Sequence, residues 1–146
     1  MVTTVVITLK QISTRFSMAV HTLSLIAMSP NEITGDYIAG SVNTNPVVIR
    51  RIMGMLKKGG LVDVRPGVGG AFLLRAPEEI TLLDIYRTVN LIEDNQLFGV
   101  HEDSNVLCPV GRGIERVLQS ELSEAQSAME LRLAQTHLSQ IIGRLK

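Results

Sequence analysis

The sequence predicts a mainly α-helical protein with one small β-hairpin, an α+β chain that ends in a long helix. Three observations predict this class. A short polar turn at residues 43–45 separates two helical patterns, and a glycine- and proline-rich tip at residues 65–70 separates two strand-like runs. Between residues 114 and 133, apolar residues recur every three or four positions. The order of these features predicts the architecture.

Apolar residues recur at helical spacing from residue 13, where Ser13 or Thr14 can cap a helix that runs to about Met28. Pro30 ends this pattern. Residues 1–11 are rich in β-branched side chains and have no evident partner strand. We therefore expect them to form a frayed strand or an extension ahead of the first helix.

The next two helices are predicted by their capping signals. Thr34 opens a short helix over residues 35–41. Asn45 is a suitable N-cap and Pro46 fits the first helical position of a basic helix over residues 47–58, which two glycines end. Two helices joined by a short polar turn, the second of them basic, are typical of a helix-turn-helix.

Strand-like residues 61–64 and 71–75 flank the glycine-rich tip and predict a β-hairpin directly behind the second helix of this pair. A hairpin in that place is a wing. The glycines do not form a nucleotide-binding loop, because such a loop lies between a strand and a helix, whereas strand-like residues follow here. The fold is therefore predicted as a winged helix-turn-helix domain over residues 12–76.

Residues 77–146 are predicted to hold a linker helix capped by Thr81, a looser segment at about 90–108 and a long helix from Pro109, while Thr136 begins a terminal helix. The apolar stripe of the long helix comprises Ile114, Leu118, Leu122, Ala125 and Met129. This stripe is either intramolecular core or, as we favour, the seam of a homodimer, since so long a helix needs more apolar surface than one small domain offers.

The 146-residue chain is 45% hydrophobic and has one cysteine, so disorder and an intrachain disulfide framework are excluded. It has no secretory signal pattern and no apolar stretch long enough for a membrane span, which predicts a cytoplasmic protein. Residues 1–75 carry eight Lys and Arg against three Asp and Glu, and residues 76–146 carry six against eleven. A +5 half beside a −5 half suggests that the first half meets a polyanion.

Double-stranded DNA is the expected partner of the basic half. Arg50 and Arg51 lie near the start of the basic helix, where arginines read guanine edges. Contacts to phosphate are expected at the start of the basic helix, at the wing and at the first helix. Each has an alternative explanation: Ser13 is equally well explained as an N-cap, the basic helix as a solvated polar face, and the wing as a merely structural hairpin. The candidate residues for these contacts are Ser13, Thr14, Arg15, Thr44, Asn45, Pro46, Val47, Arg65, Gly67, Gly69 and Gly70.

Several stretches resemble the Rrf2 family of bacterial transcription regulators. They include ISTRF at residues 12–16, NPVVIRR at 45–51, LKKGGLV at 56–62, RPGVGGAF at 65–72, TLLDI at 81–85 and CPVG at 108–111. The resemblance covers roughly residues 12–145. It implies dimers formed through the long C-terminal helix and a pseudo-palindromic operator bound by paired winged domains. A repressor is the expected role.

Several members of that family hold an iron–sulfur cluster through three cysteines ahead of the long helix. This sequence has only Cys108, so we expect no cofactor and no metal, and His101 with nearby acids is an improbable substitute. Cys108 is either an inert thiol or a redox sensor at a helix start. The chain shows no catalytic constellation, so it is not expected to be an enzyme. The alternative function is a sensing adaptor that uses the winged fold without specific DNA binding, and the effector stays open.

Overall fold

The computed structural model describes residues 2–67, 69–90 and 100–146, with side chains from residue 14 onward. The helices in this part of the chain are α1 (Val2–Met28), α2 (Gly35–Val42), α3 (Pro46–Lys58), α4 (Leu82–Val89), α5 (Pro109–Ala134) and α6 (Leu138–Leu145). Two strands, β1 (Val62–Val64) and β2 (Ala71–Leu73), lie between α3 and α4. This confirms a mainly helical chain with one hairpin and a long helix near its end. Residues 91–99 of the predicted loose segment lie outside the described residues.

The start of α1 differs from the prediction. The helix begins at Val2, so a frayed strand or extension at residues 1–11 and a cap at Ser13 or Thr14 were wrong. No proline or glycine interrupts the chain before Pro30. The helix propensities of valine and threonine lie within about 0.7 kcal/mol of that of alanine, which is too little to stop a helix already in progress.

The helix-turn-helix forms through the caps that the sequence indicated. The Oγ1 of Thr34 accepts a hydrogen bond from the backbone N–H of Tyr37 at 3.2 Å, and the Oδ1 of Asn45 accepts one from that of Val47 at 2.9 Å. Asn43 ends α2 with φ of 64°, a left-handed conformation that asparagine tolerates better than most residues. Only two residues lie between Asn43 and the start of α3 at Pro46, so the turn is short.

The hairpin is antiparallel, and Asp63 pairs with Phe72 at its centre. The loop between α1 and α2 joins it on the other side of β2. The N–H of Asn31 donates to the carbonyl of Ala71 at 2.9 Å, and the N–H of Ala71 donates to the carbonyl of Ile33 at 3.2 Å. The wing is therefore hydrogen-bonded to the segment that precedes the helix-turn-helix.

One hydrophobic core lies beneath these elements. Its buried residues come from α1, α2, α3, the hairpin, α4 and α6, and they include Leu23, Ile38, Ile52, Leu56, Val62, Ile85 and Leu138. The core thus runs across the predicted boundary between residues 76 and 77. A division into domains at 12–76 and 77–146 remains a prediction.

The end of the chain returns to this core. Thr81 caps α4, as predicted, and it also forms a capping box with Asp84. The N-cap of α6, however, is His137 and not Thr136, which was predicted. Thr136 is buried, its carbonyl accepts from the N–H of Leu82 at 2.9 Å, and its hydroxyl accepts from Arg132 at 3.0 Å. Those contacts fix Thr136 one residue before the helix.

Helix α5 is arranged differently from the others. It is 26 residues long, about 39 Å, and none of its side chains is buried. It packs on α4, and the guanidinium of Arg87 lies 3.4 Å from the carboxylate of Glu130. Large apolar side chains on and just before α5 are exposed, among them Val117 at 48% and Leu107 at 88%. Much of its apolar surface has no partner within the described part of the chain.

Candidate nucleic-acid interface

The outer face of α3 is basic. Ile49, Ile52 and Leu56 lie in the core, and this fixes the orientation of the helix. Arg50 and Arg51, which were predicted to read bases, are consequently both exposed on it. Their guanidinium groups are therefore available to an external partner.

The first turn of α3 is also at the surface. Pro46 is exposed, and Val47 exposes 47% of its side chain. Because the Oδ1 of Asn45 is used in capping, the amide nitrogen of Asn45 is its atom suited to donate to a phosphate. Thr44 is half-buried, and its N–H donates to the carbonyl of Ala39 at 3.0 Å. These residues meet where the helix dipole favours an anion.

The wing tip presents Arg65 as an exposed side chain. Two backbone hydrogen bonds close the tip: the N–H of Arg65 donates to the carbonyl of Gly70 at 3.1 Å, and the N–H of Gly69 donates to the carbonyl of Arg65 at 3.2 Å. Gly67 and Gly69 have φ of 75° and 78°, which glycine adopts at no steric cost. Both are at least partly accessible, as a contact to a DNA backbone requires.

Gly70 lies in a different environment from the other wing glycines. It is buried and has φ of 85°. A Cβ added there would lie 2.3 Å from the carbonyl oxygen of Asn31, which is backbone and cannot swing away. Gly70 therefore holds the wing against the loop before α2, and it does not present a surface to DNA.

The predicted phosphate contacts at the start of the first helix are not equivalent. Ser13 lies inside α1, and its side chain is outside the described residues. Thr14 is exposed, whereas Arg15 is half-buried and its guanidinium donates to the carbonyl of Val89 at 3.2 Å. A cation suits that place, because Val89 is the last residue of α4. Arg15 thus joins α1 to the end of α4.

Two features of this surface escaped the sequence-based prediction. Tyr37 exposes 60% of its side chain on α2, and its phenol can donate to a phosphate oxygen. The pattern of residues 35–42 groups Tyr37 with Ile38 and Val42 as side chains available for burial, so the sequence gave no signal of its exposure. The contact of Asn31 with Gly70 joins residues 39 positions apart, which no local pattern reveals.

Cys108 is exposed and forms the N-cap of α5. The backbone N–H groups of Gly111 and Val110, in the first turn of α5, lower the pKa of the thiol from its ordinary value. His101 is exposed as well. Among the described residues, no three His, Cys, Asp or Glu side chains are grouped so that they could hold a metal ion.

None of the described helices is long and apolar enough to cross a membrane.

Comparison with known proteins gives a family match over most of the chain. The sequence model of the Rrf2 family, described as an iron-dependent transcriptional regulator, matches residues 12–144. A Bacillus subtilis (strain 168) protein named as an HTH-type transcriptional regulator, YwnA, is 42% identical over 134 residues. The match covers 92% of this chain and 98% of YwnA.

Solved structures share the fold. A crystal structure of a protein described as DNA binding superposes with a TM-score of 0.71 at 38% identity and covers 88% of this chain and 98% of its own. CymR of B. subtilis, described as the global cysteine regulator, superposes with a TM-score of 0.64 at 21% identity, covering 88% and 93%. The second likeness supports the winged-helix fold alone.

Proposed function

Since the chain belongs to the Rrf2 family of transcriptional regulators, we propose that it binds a pseudo-palindromic operator as a homodimer and represses transcription from it. Members of this family are transcription factors and not enzymes. A regulator that binds bacterial DNA acts in the cytoplasm, so we propose that compartment for this chain.

The distribution of basic side chains carries the proposal. Arg15 donates to the carbonyl of Val89, Lys57 lies 3.5 Å from Asp63, and Arg75 lies 3.6 Å from Asp84. Residues 14–75 contain four other basic side chains. Among the described residues, the structure shows no ion-pair or hydrogen-bond partner for these four, which are Arg50, Arg51, Lys58 and Arg65. These four lie on α3 and on the wing tip, the two elements with which a winged helix-turn-helix contacts DNA. The positive charge left for a polyanion is therefore concentrated there.

Different parts of this surface would have different tasks. We assign base reading to Arg50 and Arg51, because arginine forms bidentate hydrogen bonds with guanine O6 and N7 in the major groove. We assign phosphate contacts to Asn45 at the start of α3 and to Arg65 on the wing, which set position and affinity more than sequence choice.

The proposed homodimer is supported by α5. A helix of 26 residues without a buried side chain is stabilised best when its apolar stripe is covered by a second copy. Ile114, Leu118 and Leu122 are only half-buried in the single chain. A two-fold interface through this stripe would place two α3 helices on successive half-sites, which is why we propose a pseudo-palindromic operator.

The iron in the description of the family does not fit this chain. Iron–sulfur clusters are held mainly by cysteine thiolates, and the sequence contains Cys108 alone. The described residues also offer no group of three metal ligands. We therefore propose that this protein acts without a cluster, and no step of its function is derived through iron.

Oxidation of Cys108 is a candidate signal. The thiol is exposed, and its lowered pKa raises the fraction of reactive thiolate at neutral pH. The competing function is a sensing adaptor that does not bind DNA. The exposed arginines of α3 argue against it, because an adaptor does not need them.

The test begins with genomic footprinting, which supplies the operator. Binding of wild type and of an Arg50→Ala/Arg51→Ala variant is then measured by fluorescence anisotropy on operator and scrambled duplexes. Each lost base contact should cost about 1–3 kcal/mol, so losing both should lower the preference for the operator at least about thirtyfold. Arg144→Ala, which removes an exposed arginine of α6, is the control and should bind as wild type does. Unchanged binding of the double variant to every duplex would leave the adaptor function.

A further inference from the structure

A groove of about 440 Å³ opens where α1, the start of α4 and α6 meet. Its apolar lining is Phe16 and Val20 of α1, Leu82 of α4, and Ile141 and Leu145 of α6. This volume lies within the range of small-molecule sites, which are mostly apolar and contain a few polar groups. Leu145 exposes 63% of its side chain, so an occupant would remove apolar surface from water.

The polar side chains that line the groove in the described part of the chain come from α1. They are Ser17, His21 and Ser24. The hydroxyl of Ser24 donates to the carbonyl of Val20 at 2.8 Å and is thus used within its own helix. Among the residues that the structure describes, the lining contains no Asp, Glu, Lys or Arg. A charged ligand would find no counter-charge there, so the groove suits a neutral molecule with an apolar body and one hydrogen-bonding group.

His21 connects the groove to the helix-turn-helix. Its Nε2 lies 2.9 Å from the Oγ of Ser41, which belongs to α2. A ligand that engages the imidazole competes with this hydrogen bond between α1 and α2. Occupancy of the groove can therefore change how α2, the first helix of the helix-turn-helix, is held against α1.

The size of the groove favours a small molecule over a second copy of the chain. Its lining on α1 runs from Phe16 to Ser24, a distance of about 12 Å along the helix. The apolar stripe proposed for dimerisation extends along α5, and α5 contributes no residue to the groove. The groove is thus about a third as long as the helix of about 39 Å whose stripe a second protomer is proposed to cover.

We infer that this groove is an effector site for a neutral amphipathic small molecule, and that its occupation weakens operator binding by displacing the His21–Ser41 hydrogen bond. The inference of a ligand site depends only on the groove. The inferred effect on operator binding depends in addition on the proposed function.

The probe for the test is N-phenyl-1-naphthylamine, a neutral amphipathic amine whose fluorescence increases in apolar surroundings. Wild type, at concentrations where sedimentation shows dimers, should bind it saturably. Ser17→Trp fills the groove from an exposed position and should not bind it, whereas Arg144→Trp places the same side chain on an exposed residue of α6 outside the lining and should bind it as wild type does. Leu145→Lys places a charge in the lining and should weaken binding at least about tenfold, which provides a second variant at an exposed site.

Operator affinity is measured with and without saturating probe. The dissociation constant of wild type should rise about fivefold or more, within the usual range of allosteric coupling. Ser41→Ala retains the groove but lacks the hydrogen bond, so it should bind the probe and show no response on DNA.

The inference is overturned by no saturable binding to wild type, by equal binding to Ser17→Trp, or by an operator affinity that ignores the bound probe. Binding confined to dilutions where the protein is monomeric would also overturn it, since the groove would then be a subunit interface. If the probe-free protein binds no duplex, the proposed regulator fails, while the fluorescence titration still decides whether the groove binds a ligand.

Discussion

Replacing Gly70 by alanine tests how the wing is held. Gly70 has φ of 85°, and a Cβ at this position would lie 2.3 Å from the Asn31 carbonyl oxygen and 2.7 Å from its carbon. Both atoms are backbone, so the new methyl group must push the wing away from the loop before α2. The movement strains the hydrogen bond from Asn31 to Ala71 and the one from Ala71 to Ile33.

Gly69→Ala is the matched control. Gly69 has φ of 78°, but a Cβ there meets no atom of the described residues within 4 Å. Its cost should therefore be that of a left-handed conformation alone, about 1–2 kcal/mol. Gly70→Ala should carry the same backbone cost and about 1–3 kcal/mol more for the forced overlap.

Urea denaturation of both variants under identical conditions measures the difference in the free energy of unfolding. Operator binding adds a second measurement, because a displaced wing should weaken hydroxyl-radical protection of the DNA backbone that the wing contacts, while α3 still protects the major groove. If Gly70→Ala is no less stable than Gly69→Ala and gives the same footprint, the wing is not anchored on Asn31 and the argument from the close approach is wrong.

The other predictions concern the wing arginine, the dimer and the thiol. Arg65→Ala should weaken operator and scrambled duplexes alike and lower the salt slope of binding by about one, and an unchanged slope would remove Arg65 from the phosphate contacts. Leu122→Asp should give monomers or insoluble protein in sedimentation, because it places a charge in the apolar stripe, and a soluble folded dimer would refute that seam. Because the pKa of Cys108 is lowered, its thiolate fraction should rise at lower pH in the folded protein than in urea-unfolded protein. The rate of alkylation by iodoacetamide should follow the thiolate fraction, and pH profiles that coincide in the two states would contradict this. Cys108→Ser should keep its DNA affinity under reducing conditions and lose any response to peroxide, and a response like that of wild type would exclude the thiol.

Local chemistry made much of this fold predictable. The caps at Thr34, Asn45 and Thr81 act on backbone N–H groups within three residues, so the sequence alone could locate the starts of α2, α3 and α4. The start of α1 was missed because β-branched residues tolerate both helix and strand, and no breaking residue marks a boundary there. Thr136 was mistaken for an N-cap because its burial depends on Leu82, a distant residue in the chain.

The candidate site divides in the same way. Exposure of Arg50 and Arg51 follows from the apolar period of α3, which the sequence displays. The roles of Arg15 and Gly70 do not, because the partner of each lies far away in the chain, at Val89 and at Asn31. Sequence patterns assign a side chain to the outside of an element, but they do not show when another element covers that outside.

The net charge of the first half illustrates what tertiary structure adds to the functional argument. The sum of +5 over residues 1–75 counts Arg15 and Arg75 as equals of Arg50 and Arg65. In the structure, Arg15 is directed to the end of α4, and Arg75 is held by Asp84 and by the carbonyl of Glu79 at 2.7 Å. Removing Arg15 or Arg75 should therefore disturb contacts with α4 or with the loop before it and leave the salt dependence of DNA binding largely unchanged. Removing an arginine of α3 or of the wing should lower the salt dependence and leave those contacts intact. That contrast follows only if the DNA-binding surface is α3 with the wing, so comparing salt slopes for Arg75→Ala and Arg65→Ala separates this surface from a diffuse attraction of the whole basic half.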